Sequence, residues 1–291
     1  IGEEIHLPYD RPPLSKQILA GEWARERTGL IVPEKLDALE VEFRPDCRAT
    51  SLDTEGHLIE IDGMVEDFDG LLIATGARCR TLPGTSHLNG VHTLRTLDDS
   101  LAIRAGFDKN PRRLLIVGAG FIGLEVASVA IGRGIPVTMV EALAVPLENI
   151  LGGVVGEIIA HLHRSQGVDL RCGAGVMELV GTSQVQGAIL DDGTVIEADM
   201  VVVGIGVIPN TDWLRSSDID LEDGICCDET CLAVPDVSAA GDVARWHHQR
   251  YGRSIRVEHW DNGVEQGAHA ALRLLKTEEE AEPYIPIPWF W

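Results

Sequence analysis

The chain has 291 residues, 45% of them hydrophobic, and a formal net charge of −22. That length is enough for two domains with a sizeable core. The acidic balance argues against nucleic acid and anionic membrane surfaces as partners, and no apolar run reaches the roughly 18–20 residues of a membrane span.

No charged-then-apolar leader opens the sequence, and a soluble, cytoplasmic protein is expected. The six cysteines, Cys47, Cys79, Cys172, Cys226, Cys227 and Cys231, form no C-x-x-C pair. The Cys227/Cys231 spacing has no histidine set beside it, so no metal site is expected and the thiols read as buried and reduced.

In chain order, Tyr9-Asp-Arg-Pro-Pro-Leu-Ser15 reads as a rigid turn, with Ser15 placed to cap a helix to about Ala20. Val41–Arg44 has the look of a strand. From Ala49 to Asp69 short strands alternate with turns at Glu55-Gly56 and Asp62-Gly63. Leu71-Leu-Ile-Ala-Thr75-Gly76 is a buried strand ending in a glycine turn, followed by Ala77-Arg78.

The segment from about 97 to 220 alternates short apolar strands with helices, which implies a parallel sheet with helices on both faces. Leu114–Val117 is its first clear strand. It runs into Gly118-Ala-Gly120-Phe121-Ile122-Gly123 and then a helix-forming run. Strand, G-x-G-x-x-G turn and helix in that order form the dinucleotide fingerprint. Gly118 permits the turn, Gly120 lets backbone approach a pyrophosphate, and Gly123 lets helix pack on strand. The helix N-terminus offers free N–H groups to phosphate. The competing reading is a glycine turn that merely packs helix on strand. Val137–Val140 reads as the second strand and ends in Glu141, about 20 positions past the first glycine, where an acid accepts hydrogen bonds from ribose hydroxyls. No Arg or Lys lies between Ala142 and Asn149 to hold a 2′-phosphate, so NADH is expected over NADPH. A helix is expected near 154–166. A buried strand over Val201–Ile205 is closed by Gly206-Val-Ile-Pro209-Asn.

Val237-Ser-Ala-Ala-Gly241-Asp242 is a second strand-and-acid signal, in which the aspartate suits a polyol chain and the adjacent N–H groups suit a phosphate at a helix start. A helix follows from about Asp261 to Leu275. Lys276–Glu282 reads as a charged surface loop. Thr75-Gly76 and Gly241-Asp242 flank the NADH unit, which suggests a second nucleotide domain split by an insertion.

Taken in order, Leu7-Pro-Tyr9-Asp-Arg11-Pro12-Pro-Leu-Ser15-Lys16, Ala74-Thr75-Gly76, Gly118–Gly123, Gly241-Asp242, Val257-Glu258-His259-Trp260 and Pro288-Trp289 resemble the NADH-dependent ferredoxin and rubredoxin reductases. The resemblance covers essentially the whole chain. It implies an α/β fold of two Rossmann-like dinucleotide-binding domains, with the NAD domain inserted in the FAD domain. The corresponding spans are 1–96 and 223–276 for FAD, 97–222 for NAD, and 277–291 for the start of a C-terminal interface domain. It also implies an N-terminal strand with its own glycine motif and a C-terminal α+β domain, both mostly absent from this sequence.

The resemblance further implies FAD and NAD as cofactors. Electrons then pass to a [2Fe–2S] ferredoxin that feeds an oxygenase, or to rubredoxin, a quinone or another acceptor; a homodimer is also open. An NADH-binding module without turnover is the non-enzymatic alternative. By motif match, Lys16 and Glu125 would form a catalytic pair, with the ammonium stabilising negative charge on the reduced flavin. Arg11 and Pro12 would contact the flavin, Ala74, Thr75, Gly76 and Arg78 would join Gly206 in cofactor binding, and Asp242 would bind the ribityl chain. Glu258, His259, Trp260 and Trp289 would lie by the ring. Pro12–Lys16 carries no cysteine, so electrons would leave the flavin without a dithiol relay. Arg104, Lys109, Arg112 and Arg113 are the candidate basic patch for an acidic partner.

Overall fold

The computed structural model describes residues 1–287. These divide into two compact units: one of residues 1–8, 30–78 and 208–287, the other of 9–29 and 79–207. In sequence, the second unit interrupts the first twice. Of the expected NAD span 97–222, residues 97–207 fall in the second unit and 208–222 in the first.

The second unit is built on a five-stranded parallel sheet in the order Val91–His92, Met200–Val203, Leu114–Val117, Val137–Glu141, Asp169–Cys172. All four residues of Leu114–Val117 are buried, as a strand covered on both faces requires. Alternate side chains enter different cores. Leu114, Ile116, Met139 and Val202 join one with Ile103 and Phe107 of the helix Leu97–Phe107 and with Leu124, Ala127 and Ala130 of the helix Phe121–Gly132. Leu115, Val117, Val140, Val201 and Val203 join the other with Leu179, Val185, Ala188 and Leu190. Those last residues belong to a three-stranded antiparallel sheet of Val176–Gly181, Val185–Leu190 and Val195–Glu197. Helices on both faces were expected; a second sheet covers one face instead. Val185, Gly187, Ala188 and Leu190 of its central strand are buried, while Gln186 is exposed.

The same unit draws in the 9–29 segment because Leu14, Ile18 and Leu19 sit in the helical core. Each fully buried side chain of this size contributes about 1.5–3 kcal/mol. The expected helix from Ser15 is not continuous. Pro12–Ser15 is a 3-10 turn, Gln17–Ala20 is one turn of α-helix, and Lys16 joins them in an irregular conformation.

In the first unit, Leu71–Ile73 pairs in parallel with Val237–Ala239, and Leu232–Val234 flanks the latter antiparallel. Ala49–Asp53, Leu58–Ile61 and Met64–Asp67 form an antiparallel meander. Ile225–Cys227, Ala244–His248 and Arg253–Arg256 form a third sheet, and the core gathers around the fully buried Trp246. Val41–Arg44 is not a strand. Val41 is half exposed, so its side has no apolar face to lie on, and Arg44 instead makes a forked ion pair with Glu66 at 2.7 and 2.8 Å. The helix expected near 154–166 spans Glu148–Ser165, broken at Gly152, whose φ of 77° no helix accepts. The later helix is Trp260–Arg273. Within the charged run expected as a loop, Glu278–Glu280 makes a short 3-10 turn that Glu278 ties to Arg273.

Candidate functional site

The fingerprint turn is built by close approach. Gly118 has φ +98°, and a Cβ there would stand 2.3 Å from the Gly204 carbonyl oxygen. A Cβ on Gly123 would stand 2.2 Å from the Gly118 carbonyl oxygen. Both glycines are therefore demanded by packing. Gly120 is different: its φ is −76°, and a Cβ would meet only the Gly204 oxygen, at 3.9 Å. Room is left there for something outside the chain.

The helix Phe121–Gly132 starts with no side-chain cap and no acid in its first turn. Its N-terminal N–H groups and dipole remain available to an anion. Phe121 and Ile122 stand exposed around it.

Glu141 ends its strand as expected, and its carboxylate is fixed by backbone. Oε2 accepts from the Ala119 N–H at 2.6 Å and Oε1 from the Leu143 N–H at 2.9 Å. Each oxygen keeps a further lone pair for a ribose hydroxyl. These residues fit a dinucleotide: two glycines shape the turn, a third clears its mouth, and a pinned carboxylate stands where the ribose is expected. Gly206, φ +91°, follows the strand Met200–Val203 in the same unit. Gly204, which the motif reading passed over, supplies the carbonyl that crowds Gly118.

The Pro12–Lys16 turn meets the fingerprint helix at Glu125. Lys16 Nζ lies 2.9 Å from Glu125 Oε1 and donates to the Pro12 carbonyl at 3.1 Å. The buried Ser15 donates from Oγ to Glu125 Oε2 at 2.5 Å. Ser15 was expected as a helix cap; it serves the carboxylate instead. Arg11 donates to the Arg95 carbonyl at 2.8 Å and to the Tyr9 hydroxyl at 3.2 Å, which in turn accepts from the Leu97 N–H. The basic patch is partly committed: Arg104 donates to the Ile18 carbonyl, Arg113 to Thr138, and Arg112 pairs with Asp199.

In the first unit, Ala74, Thr75 and Gly76 follow the strand Leu71–Ile73 and are clasped by Asn210. Thr75 Oγ1 donates to the Asn210 carbonyl at 3.0 Å, Asn210 Nδ2 to the Thr75 carbonyl at 2.9 Å, and the Asn210 N–H to the Gly76 carbonyl at 2.9 Å. Arg78 is engaged by Asp212 at 2.6 Å and by Asn210 Oδ1 at 3.2 Å. Sequence reading saw Pro209-Asn210 only as a strand end; the clasp is a contact across 135 residues.

Gly241, φ +73°, gives its N–H to Gln266 Oε1 at 2.9 Å, and only a three-residue 3-10 turn, Gly241–Val243, starts there. The element that starts there is thus a 3-10 turn and not the expected α-helix, and the buried Gln266 takes the Gly241 N–H. The Asp242 carbonyl accepts from Arg256 Nη1, which also holds Glu258 at 2.6 Å. His259 contacts Asp261, and Trp260 opens the helix Trp260–Arg273 at 43% exposure. Trp289 lies outside the described residues. Burial pushes the Cys231 thiol up to about 12 and Cys227 higher still, so both stay protonated and unreactive.

Comparison with known proteins agrees with this construction. The family model described as pyridine nucleotide-disulphide oxidoreductase matches residues 1–267. Putidaredoxin reductase of Pseudomonas putida is 35% identical over 300 residues, covering 100% of this chain and 70% of its own. A ferredoxin reductase for the CYP199A2 system from Rhodopseudomonas palustris superposes with a TM-score of 0.93 at 33% identity, over 100% of this chain and 72% of that one. The reductase in a covalent putidaredoxin reductase–putidaredoxin complex gives 0.92 at 34% identity, over 100% and 71%. Fold, fingerprint and relatives converge: the chain belongs to the pyridine nucleotide-disulphide oxidoreductase family, among its NADH-dependent ferredoxin reductases, which work with FAD and NAD.

Proposed function

We propose that this chain takes hydride from NADH onto FAD and passes the electrons to a [2Fe–2S] ferredoxin. One observation carries the reading. A single helix bears the dinucleotide turn at its N-terminus and, one turn on at Glu125, the carboxylate that holds Lys16. Binding and electrostatic work are thereby set on one rigid element.

Gly120 and the N–H groups of Phe121 and Ile122 would hold the pyrophosphate of NADH, and Glu141 would accept from its adenosine ribose. In the first unit, Ala74, Thr75, Gly76, Gly241 and Asp242 would hold FAD, together with Glu258, His259 and Trp260. Bound FAD supplies a two-electron acceptor that can release electrons singly. Lys16 has three N–H donors, of which the Pro12 carbonyl and Glu125 take two. The third is free to meet negative charge as the cofactor is reduced, and Glu125 keeps the ammonium from swinging away. A half-exposed ion pair of this kind adds at most about 1 kcal/mol of stability, so its value lies in placement.

Ferredoxin is preferred to rubredoxin as acceptor because the relatives include ferredoxin–NAD(+) reductase components of dioxygenase systems and a reductase solved joined to putidaredoxin. A cytoplasmic setting, where NADH is supplied, belongs to the same proposal.

The test is to load the chain with FAD, add NADH anaerobically and follow flavin absorbance, then add a [2Fe–2S] ferredoxin with cytochrome c as reporter. Bleaching by NADH followed by ferredoxin-dependent cytochrome reduction is expected. A flavin that stays oxidised under NADH ends the proposal. Bleaching with rubredoxin as the better acceptor corrects only its last step. In the same assay Lys16→Ala should slow bleaching about tenfold or more, with NADH affinity kept, as loss of a hydrogen bond to a charged group implies.

A further inference from the structure

The geometry points to Ser15 as a positioning residue for hydride transfer, acting on Lys16 through Glu125; this rests on the role proposed for Lys16. Glu125 Oε2 is held by the Ser15 hydroxyl at 2.5 Å, and Oε1 meets Lys16 at 2.9 Å. Without that hydroxyl the carboxylate, 30% exposed, is free to turn about its terminal torsion, which is broad and roughly two-fold. Ser15 is itself fixed. It is 2% exposed, and the peptide before it is anchored by the fully buried Ser100, whose hydroxyl donates to the Leu14 carbonyl at 2.6 Å. The relay therefore runs from the helix Leu97–Phe107 through the Pro12–Ser15 turn to the fingerprint helix. It explains why a polar side chain occupies a buried place in an apolar core. A buried hydroxyl is retained where it has a partner that needs it.

Two readouts test this. In flavin-free protein, amine-reactive labelling of Lys16 is followed by mass spectrometry with Lys109 as internal reference. Ser15→Ala should raise Lys16 labelling several-fold and leave Lys109 unchanged. In the FAD-loaded protein Ser15→Ala should slow reduction by NADH about tenfold at unchanged NADH affinity, the scale of a hydrogen bond to a charged group. Ser15→Cys, of similar volume with a weaker donor, should fall between. Combined with Glu125→Gln, Ser15→Ala should add nothing further. Lys16 labelling equal to the parent, labelling that rises on both lysines together, or an additive double variant would each overturn the assignment. If Lys16→Ala itself leaves reduction unchanged, the role of Lys16 fails and Ser15 loses its target. If Lys16→Ala is slow and Ser15→Ala is not, only the Ser15 assignment fails.

Discussion

A methyl group on Gly120 would meet nothing nearer than 3.9 Å, and the φ of −76° suits any residue. The fold therefore gives no reason for glycine there, whereas an approaching pyrophosphate does. Gly120→Ala should leave the thermal midpoint within experimental scatter and still weaken NADH binding about tenfold or more, measured by titration. An unchanged affinity removes the fingerprint as the nucleotide site. Glu141 makes the complementary case. Its carboxylate is pinned by two backbone N–H groups, and no cation lies within 142–149. Glu141→Arg should move the ratio of specificity constants toward NADPH by about tenfold, since an Arg–phosphate contact is a charge-assisted hydrogen bond. A ratio that stays put shows that the ribose is read elsewhere.

At the scale of elements, the fingerprint helix depends on close contact with its strand. A Cβ on Gly123 would fall 2.2 Å from the Gly118 carbonyl oxygen and 3.3 Å from Ile116. Gly123→Ala must push helix from strand, and overpacking of this kind costs about 1–3 kcal/mol. Denaturant unfolding should show that loss. Gly120→Ala should not, and the contrast between the two variants separates a packing glycine from a binding glycine within one motif. In the sheet beneath, Leu114–Val117 and Met200–Val203 are buried at every position, whereas the outer strands Val91–His92 and Asp169–Cys172 are only partly covered.

For the whole molecule the governing quantity is charge. The net charge is −22, and the basic residues expected to face an acidic partner are partly tied up: Arg104 on the Ile18 carbonyl, Arg113 on Thr138, Arg112 on Asp199. Electron transfer to an acidic ferredoxin should then speed up with added salt, as like-charge repulsion is screened over about 10 Å at 0.1 M. Stopped-flow rates that fall with salt point to a local basic dock that outweighs the net charge. Among the described residues no helix is long and apolar enough to cross a membrane.

The NADH motif, its strands at Leu114–Val117 and Val137–Glu141, and the alternation of Leu71–Ile73 and Val237–Ala239 with glycine turns were legible because each is local. A tight turn, a helix start and a strand end are written in neighbouring residues. The Lys16–Glu125 pair came from motif order, and the structure supplies its distance. What the sequence could not state is which distant groups close on one another. Ser15 was read as a cap because capping is the local use of a serine, yet its partner lies 110 residues away. Asn210, Gln266 and Gly204 carry no local signal, and the antiparallel sheet on the second face replaced expected helices because period and burial are set by what packs there. Local rules fixed the strands Leu114–Val117 and Val137–Glu141 and the glycine turn between strand and helix; long-range packing decided which hydroxyl, amide and carbonyl close on them.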